Sequence, residues 1–280
     1  IGGHSLLAAR FVDTIERETG LSVPLTVLFA DDTIDGLAKA LRDGAPDANA
    51  PIVVVNAQGT RPPFVFLHGD FQAGGFYSRA LARSLGADQP TLIVHPHGLV
   101  GDAIPETIEA MATDRLRALQ AIRPTGPYVI GGHCNGALVA FEMARQLISR
   151  GESVPAVVLI EARAPAPGAR SPDAGGAYVK FDAAGRPEVL VPRDRISEAE
   201  LHYARAIDRY EGGHCDGHLV IVQAQELRDP APDAGWSRFA RTWEGHIVPG
   251  GHVTLITRHL ADLTRTVRDA IGRALDDPAR

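Results

Sequence analysis

The sequence predicts an α/β protein in three layers, a mostly parallel sheet with helices on both faces, preceded by a short helical segment. Two observations carry this reading. From Ile52 onward, short apolar runs alternate with stretches whose apolar residues recur at helical spacing. Strands of that kind, separated by amphipathic helices, pair in parallel between two helical layers. The 280 residues suit one domain of roughly 230 residues plus a small appendage. With 45% hydrophobic and 22% charged residues, the chain can bury a sizeable core.

Taken in order, the chain opens abruptly on Ile1-Gly2-Gly3-His4-Ser5, which reads as a cut. Ser5 precedes Leu6, Leu7, Phe11, Val12 and Ile15 at helical spacing, and Gly20 ends the pattern as a C-cap would. Leu21 to Leu25 reads as an extended connector, and Thr33 to Leu41 as a second helix with Ile34, Leu37, Ala38 and Leu41 inward. Residues 43–51, small, polar and containing proline, read as a linker. The main unit then has strands at Ile52–Val55, Phe64–Leu67, Thr91–His95, Tyr128–Gly131, Val157–Ile160 and Leu219–Val222. Helices are expected at Phe76–Leu85, Glu106–Ile122, Gly136–Arg150, Glu198–Tyr210 and Thr254–Ala274. From Ala164 to Ser197 the rhythm breaks, with many Pro, Gly and Arg, over a length too great for an ordinary connection. With the helix after it, about 164–210, it is a candidate lid.

Composition removes several functions. A net charge of -6 and a pI near 6.0 leave no basic footprint for nucleic acid. No apolar run reaches the roughly 18 residues that cross a bilayer. Two cysteines are too few for a disulfide framework, and a reducing cytoplasm is the expected compartment.

The chemistry centres on residues 128–144. An apolar strand, Tyr128 to Gly131, runs into Gly132-His133-Cys134-Asn135-Gly136, and a helix starts at once. Strand, tight turn and helix in that order form the context of the G-x-S-x-G nucleophile elbow, whose glycines make room for a strained turn at a helix N-terminus. Cys134 stands where serine would. A thiol near a helix N-terminus and a histidine loses its proton more readily than a free one. Cys215 sits in similar letters, Gly213-His214-Cys215-Asp216-Gly217, but between a helix and a strand, so it reads as structural. His214, Cys215 and His218 are a weak metal pattern, and no metal is expected in the reaction.

In the α/β-hydrolase order of nucleophile, acid and base, the base follows the last strand. Pro249-Gly250-Gly251-His252 fits, whereas His246 and His259, in strand-like and helical segments, read as surface or packing residues. For the acid, Glu161 ends the strand Val157–Ile160 and is preferred over Glu226 and Asp229. Oxyanion donors are sought in the backbone N–H of Asn135 and, from the turn after Leu67, of Asp70 or Phe71.

On these motifs the chain resembles the carrier and type I thioesterase end of a non-ribosomal peptide synthetase. Residues 1–42 resemble the latter part of a peptidyl carrier domain through Gly2-Gly3-His4-Ser5-Leu6 and, from Leu25 through Leu41, its closing helices. The resemblance implies Ser5 as the attachment site of covalent 4′-phosphopantetheine. Residues 52–280 resemble the thioesterase through Leu67-His68-Gly69, the Cys134 elbow, Phe141-Glu142-Met143-Ala144 and Pro249-Gly250-Gly251-His252. It implies an α/β-hydrolase sandwich with a lid, a peptidyl thioester delivered by the carrier, and upstream synthetase domains as partners.

Two departures stand out: Cys134 where most members have serine, and Glu161 where most have aspartate. Transfer from pantetheine sulfur to cysteine keeps the acyl group a thioester, so its activation persists into the release step. Closure of a strained ring is thereby expected beside hydrolysis and ordinary macrocyclisation, and the resemblance to cysteine-type members implies β-lactam or β-lactone formation in antibiotic biosynthesis. The competing readings are a stand-alone cysteine ester hydrolase of the dienelactone type and a catalytically inactive docking domain.

Overall fold

A computed structural model describes residues 11, 14–19, 33–43, 50–69, 75–99, 101–165, 178–181, 187–191, 197–226 and 231–276. Ser5, Asp70, Phe71 and Asp229 lie outside the described residues. Ahead of the linker, residues 14–19 are helical, and helix α1 (Ile34–Asp43) follows. The Thr33 hydroxyl caps α1 by accepting the Gly36 N–H at 3.0 Å. Leu37 is buried as expected, whereas Ile34 is exposed, since it is the first residue of the helix and ends its apolar stripe.

The main unit is built on a seven-stranded sheet in the order β1-β3-β2-β4-β5-β8-β9. Its strands are β1 (Ile52–Val55), β2 (Phe64–Leu67), β3 (Thr91–Val94), β4 (Val129–His133), β5 (Val157–Ile160), β8 (Cys215–Ala224) and β9 (Ala240–Val248). Only β1 runs antiparallel, against β3; the other pairs are parallel. Among the described residues, five α-helices accompany the sheet: α2 (Phe76–Ser84), α3 (Ile108–Ile122), α4 (Asn135–Ser149), α5 (Glu198–Arg209) and α6 (Leu260–Asp276).

Alternation along each strand divides the core in two. Val65, Leu67, Ile130, Leu159 and Ile221 point to the side covered by α3 and α4. Phe64, Phe66, Val129, Val158 and Val220 point to the side of α2 and α6, where Leu81, Leu263, Val267 and Ile271 meet them. Both faces are therefore filled, and the inner strands β2 to β5 are buried at every position. This is the α/β/α sandwich read from the sequence.

Beyond shifts of one or two residues at other element ends, four differences stand out. β8 starts at Cys215, four residues before the expected start at Leu219, so Cys215 lies inside the sheet. β9 is absent from the expected strands although His246 reads as strand-like; as an edge strand it alternates between exposed and half-buried residues and carries Arg241, Glu244 and His246. Residues 178–181 and 187–191 form an antiparallel pair, β6 (Tyr178–Phe181) and β7 (Pro187–Val191), inside the segment expected to be irregular. The last helix starts at Leu260, not near Thr254. There the Thr254 hydroxyl accepts the Gly251 N–H at 2.7 Å and its carbonyl accepts the His259 N–H at 2.9 Å, which holds residues 251–259 in turns. His259 thus precedes the helix. Among the described residues no helix is long and apolar enough to cross a membrane.

Candidate active site

The site lies at the carboxyl ends of four neighbouring parallel strands, β4, β5, β8 and β9, the edge at which open α/β sheets bind ligands. Cys134 follows β4 directly and takes φ 55° and ψ −127°, outside the regions an L-residue favours. Its N–H is held by the Ile160 carbonyl at 3.0 Å, and α4 starts at the next residue. The flanking glycines are required by close backbone contact. A Cβ on Gly132 would lie 2.7 Å from Ala137 N, and one on Gly136 would lie 2.5 Å from the Leu67 carbonyl oxygen. The thiol, half-exposed, is thereby lifted to the mouth of the helix.

One strand over, Glu161 follows β5, also in the left-handed region at φ 49°. Its Oε1 accepts the N–H of Ala224 at the end of β8, at 2.5 Å. Its Oε2 stands 3.4 Å from Nδ1 of His252, with the glutamate side chain 7% and the histidine side chain 13% exposed. His252 also hydrogen-bonds the Cys134 side chain. Burial works against the imidazolium, but the charge and hydrogen bond of Cys134, followed by those of Glu161, outweigh it and raise the His252 pKa to about 10. Three residues from three loops are thus joined: thiol, imidazole and carboxylate. Glu226, the alternative within the described residues, is exposed beyond β8, with its N–H on the Gly250 carbonyl at 3.0 Å.

Gly69, two residues past β2, lies against the elbow. A Cβ on Gly69 would come 2.8 Å from Asn135 N, so the backbone at Gly69 and the first N–H of α4 share one small region. Cys215, by contrast, is buried beneath, and burial pushes its thiol pKa up to about 11. Its neighbours face elsewhere: His214 Nε2 lies 3.1 Å from Asp216 Oδ1, and His218 Nδ1 lies 2.9 Å from the Thr242 hydroxyl. Among the described residues no cluster of three or more His, Cys, Asp or Glu could hold a metal.

Sequence reasoning missed the support around this site. His68, His95 and His133 all stand at or just past strand ends, and that recurrence was the available signal. His68 Nε2 and His95 Nδ1 are 2.8 Å apart and buried. Burial, reinforced by the charge of Arg115, lowers the His95 pKa to about 4. Arg115 in turn donates to the His95 carbonyl at 3.0 Å and to Asp102 at 2.6 Å. Beside them is a cavity with room for about one water, lined by His68, His95, His97, Arg115 and Tyr203. On the other side of α4, the wholly buried Glu142 accepts two bonds from Arg145, both at 2.7 Å, and one from the Tyr210 hydroxyl at 2.8 Å. That carboxylate ties α4 to the end of α5. Trp236, fully buried against Phe141, donates to the Ala162 carbonyl at 2.9 Å and so fixes the turn after Glu161.

Comparison with known proteins bears on what such a site does. Residues 71–271 match the thioesterase domain family, and residues 1–41 match the phosphopantetheine attachment site family. Chondramide synthase cmdD of Chondromyces crocatus is 36% identical over 177 residues, covering 61% of this chain and 4% of that protein. A dimodular nonribosomal peptide synthase of Bacillus subtilis is 30% identical over 166 residues, covering 58% of this chain and 7% of that protein. The chain therefore spans only a small fraction of the relatives it matches. Among solved structures, a four-domain nonribosomal peptide synthetase bound to AMP and glycine covers 96% of this chain with 24% of its own length, at a TM-score of 0.66 and 22% identity. The NocB thioesterase domain from the nocardicin cluster covers 80% of this chain and 99% of its own, at a TM-score of 0.60 and 25% identity.

Proposed function

This chain belongs to the thioesterase domain family, and on that premise we propose that it is the releasing end of a nonribosomal peptide synthetase, with Cys134 as nucleophile, His252 as base and Glu161 as the orienting acid. A phosphopantetheine attachment region precedes the thioesterase domain. In this reading residues 1–42 are the partial carrier, 43–51 the linker and 52–280 the thioesterase with its lid at about 164–210. Ser5 is the attachment residue, since a primary hydroxyl is what a phosphodiester to pantetheine requires. The pantetheine arm, when attached, supplies a thioester sulfur bearing the peptidyl group.

The observation that carries the reading is the contiguity of Cys134, His252 and Glu161, in which Cys134 and Glu161 both act to raise the His252 pKa. Cys134 Sγ, as thiolate, adds to the thioester carbonyl. The N–H of Asn135 and a partner from the Asp70–Phe71 turn stabilise the oxyanion. As the tetrahedral centre collapses, the carbon–sulfur bond to the carrier breaks and His252 gives its proton to the departing sulfur. His252, now neutral, takes a proton from the second nucleophile as that group adds to the acyl-Cys134 carbonyl, and Cys134 leaves as thiolate. Glu161 keeps the imidazole oriented through Nδ1.

The second nucleophile decides the product: an amine or hydroxyl of the peptide closes a ring, and water releases an acid. Because acyl-Cys134 is still a thioester, more driving force remains for a strained closure than an oxoester would leave. Ring closure is the preferred outcome. The test is intact-protein mass spectrometry of wild type and Cys134→Ala after mixing with a peptidyl pantetheine thioester. A Cys134-dependent adduct that decays to a cyclic product supports the whole scheme, and decay to linear acid alone overturns cyclisation. An absent adduct, with no turnover, favours a docking domain.

A further inference from the structure

One buried imidazole beside the elbow is unused by this mechanism. His133, at the end of β4, is 4% exposed and bridges two parts of the site. Its Nε2 lies 3.2 Å from the carbonyl oxygen of His252, and its Nδ1 lies 3.1 Å from the Tyr77 hydroxyl. A carbonyl oxygen can only accept, so Nε2 carries the proton, and in a neutral ring Nδ1 must then accept from Tyr77. The two bonds together select one tautomer. The His133 and His252 rings also stack, with centroids 4.7 Å apart and planes 35° from parallel.

We propose that His133 is a positioning residue for His252, a neutral strut that Tyr77 locks in its Nε2–H tautomer and that holds the base's backbone and ring against the elbow. The inference rests on the assignment of Cys134 and His252 as nucleophile and base. Tyr77 belongs to α2, so the strut joins that helix to the loop of residues 249–252. Neutrality is part of the device. Full burial, and then the charge of His252, drive the His133 pKa well below its ordinary value. An uncharged ring face can therefore lie against the imidazolium without competing for its proton. Of the three described groups Cys134, Glu161 and His133 that meet His252, His133 is the one that adds no charge to it.

The experiment is the pH profile of Cys134 alkylation by iodoacetamide, read by peptide mass, with thermal melting of each variant as a fold check. Wild type is expected to react below the pKa of about 8.5 of a free thiol. His252→Ala should lose that reactivity. His133→Leu should lower the rate at neutral pH about 10- to 100-fold and move the profile toward the free thiol, as misplacement of a base by an ångström does. His133→Gln keeps an N–H for the His252 carbonyl and should recover to within about threefold of wild type. A His133→Leu profile that superimposes on wild type overturns the strut. If that variant does not fold, Tyr77→Phe decides: it should slow alkylation, and an unchanged rate overturns the proposal. A His252→Ala profile equal to wild type instead overturns the underlying pairing of Cys134 with His252.

Discussion

Replacing Glu161 by glutamine leaves the shape of the site almost intact and changes its electrostatics. The carboxylate now serves two donors, the Ala224 N–H at 2.5 Å through Oε1 and the imidazole Nδ1 at 3.4 Å through Oε2. An amide offers one acceptor, so one donor must lose its partner, and an N–H₂ turned toward Nδ1 selects the wrong tautomer of His252. At 3.4 Å and an effective dielectric of about 20, a full charge pair is worth about 5 kcal/mol. Both side chains are largely buried, so solvent screening removes little of this. Taken as a ceiling, that energy places the expected fall in the rate of acyl transfer near a thousandfold, about 4 kcal/mol. Rapid-quench mass spectrometry of the first turnover measures it directly, with Glu226→Gln as control. A Glu161→Gln rate within about tenfold of wild type, or a larger loss from Glu226→Gln, would refute the assignment.

Three further perturbations probe the elbow, its supports and its charge. Gly136→Ala puts a methyl 2.5 Å from the Leu67 carbonyl oxygen, backbone that cannot yield; a cost of about 3 kcal/mol, or about 6–12 °C in Tm, is expected by calorimetry. Tyr210→Phe removes one of the bonds to buried Glu142 and should cost about 2 kcal/mol in denaturant unfolding while Cys134 alkylation stays unchanged. Cys134→Ala removes the largest influence that raises the His252 pKa, so the imidazole titration followed by NMR should drop below about 10 and toward acid. The linked stability has a definite sign: protonation of His252 contributes fully below pH 6.5 and fades as pH rises through about 10. The alanine variant should lose that alkaline dependence.

Much of this was legible in the sequence because it rests on local pattern. Unbroken apolar runs gave the inner strands, and the strand–glycine turn–helix order around Cys134 gave the elbow. Glu161 was readable as the end of the strand Val157–Ile160, whereas the placing of that strand next to β4 is seen only in the sheet order. What stayed hidden depends on partners far along the chain. The Ala224 N–H that fixes Glu161 comes from residue 224 on β8, and the His133 bridge joins Tyr77 to His252 across 56 and 119 residues. No periodicity encodes such meetings. β9 escaped because an edge strand keeps one side in solvent and takes polar residues, and the start of α6 was misjudged because Thr254 binds the backbone through its hydroxyl.

The central claim is that the acyl group passes through Cys134 on its way from the carrier. With the carrier segment phosphopantetheinylated and loaded with a peptidyl group, quenching at short times followed by proteolysis and mass mapping locates that group directly. The expected sequence is label first on the Ser5 peptide, then on the Cys134 peptide, then in a released product, with His252→Ala stalling transfer at Ser5. Release at the wild-type rate from Cys134→Ala, or product formed while the Cys134 peptide never carries label, would contradict it.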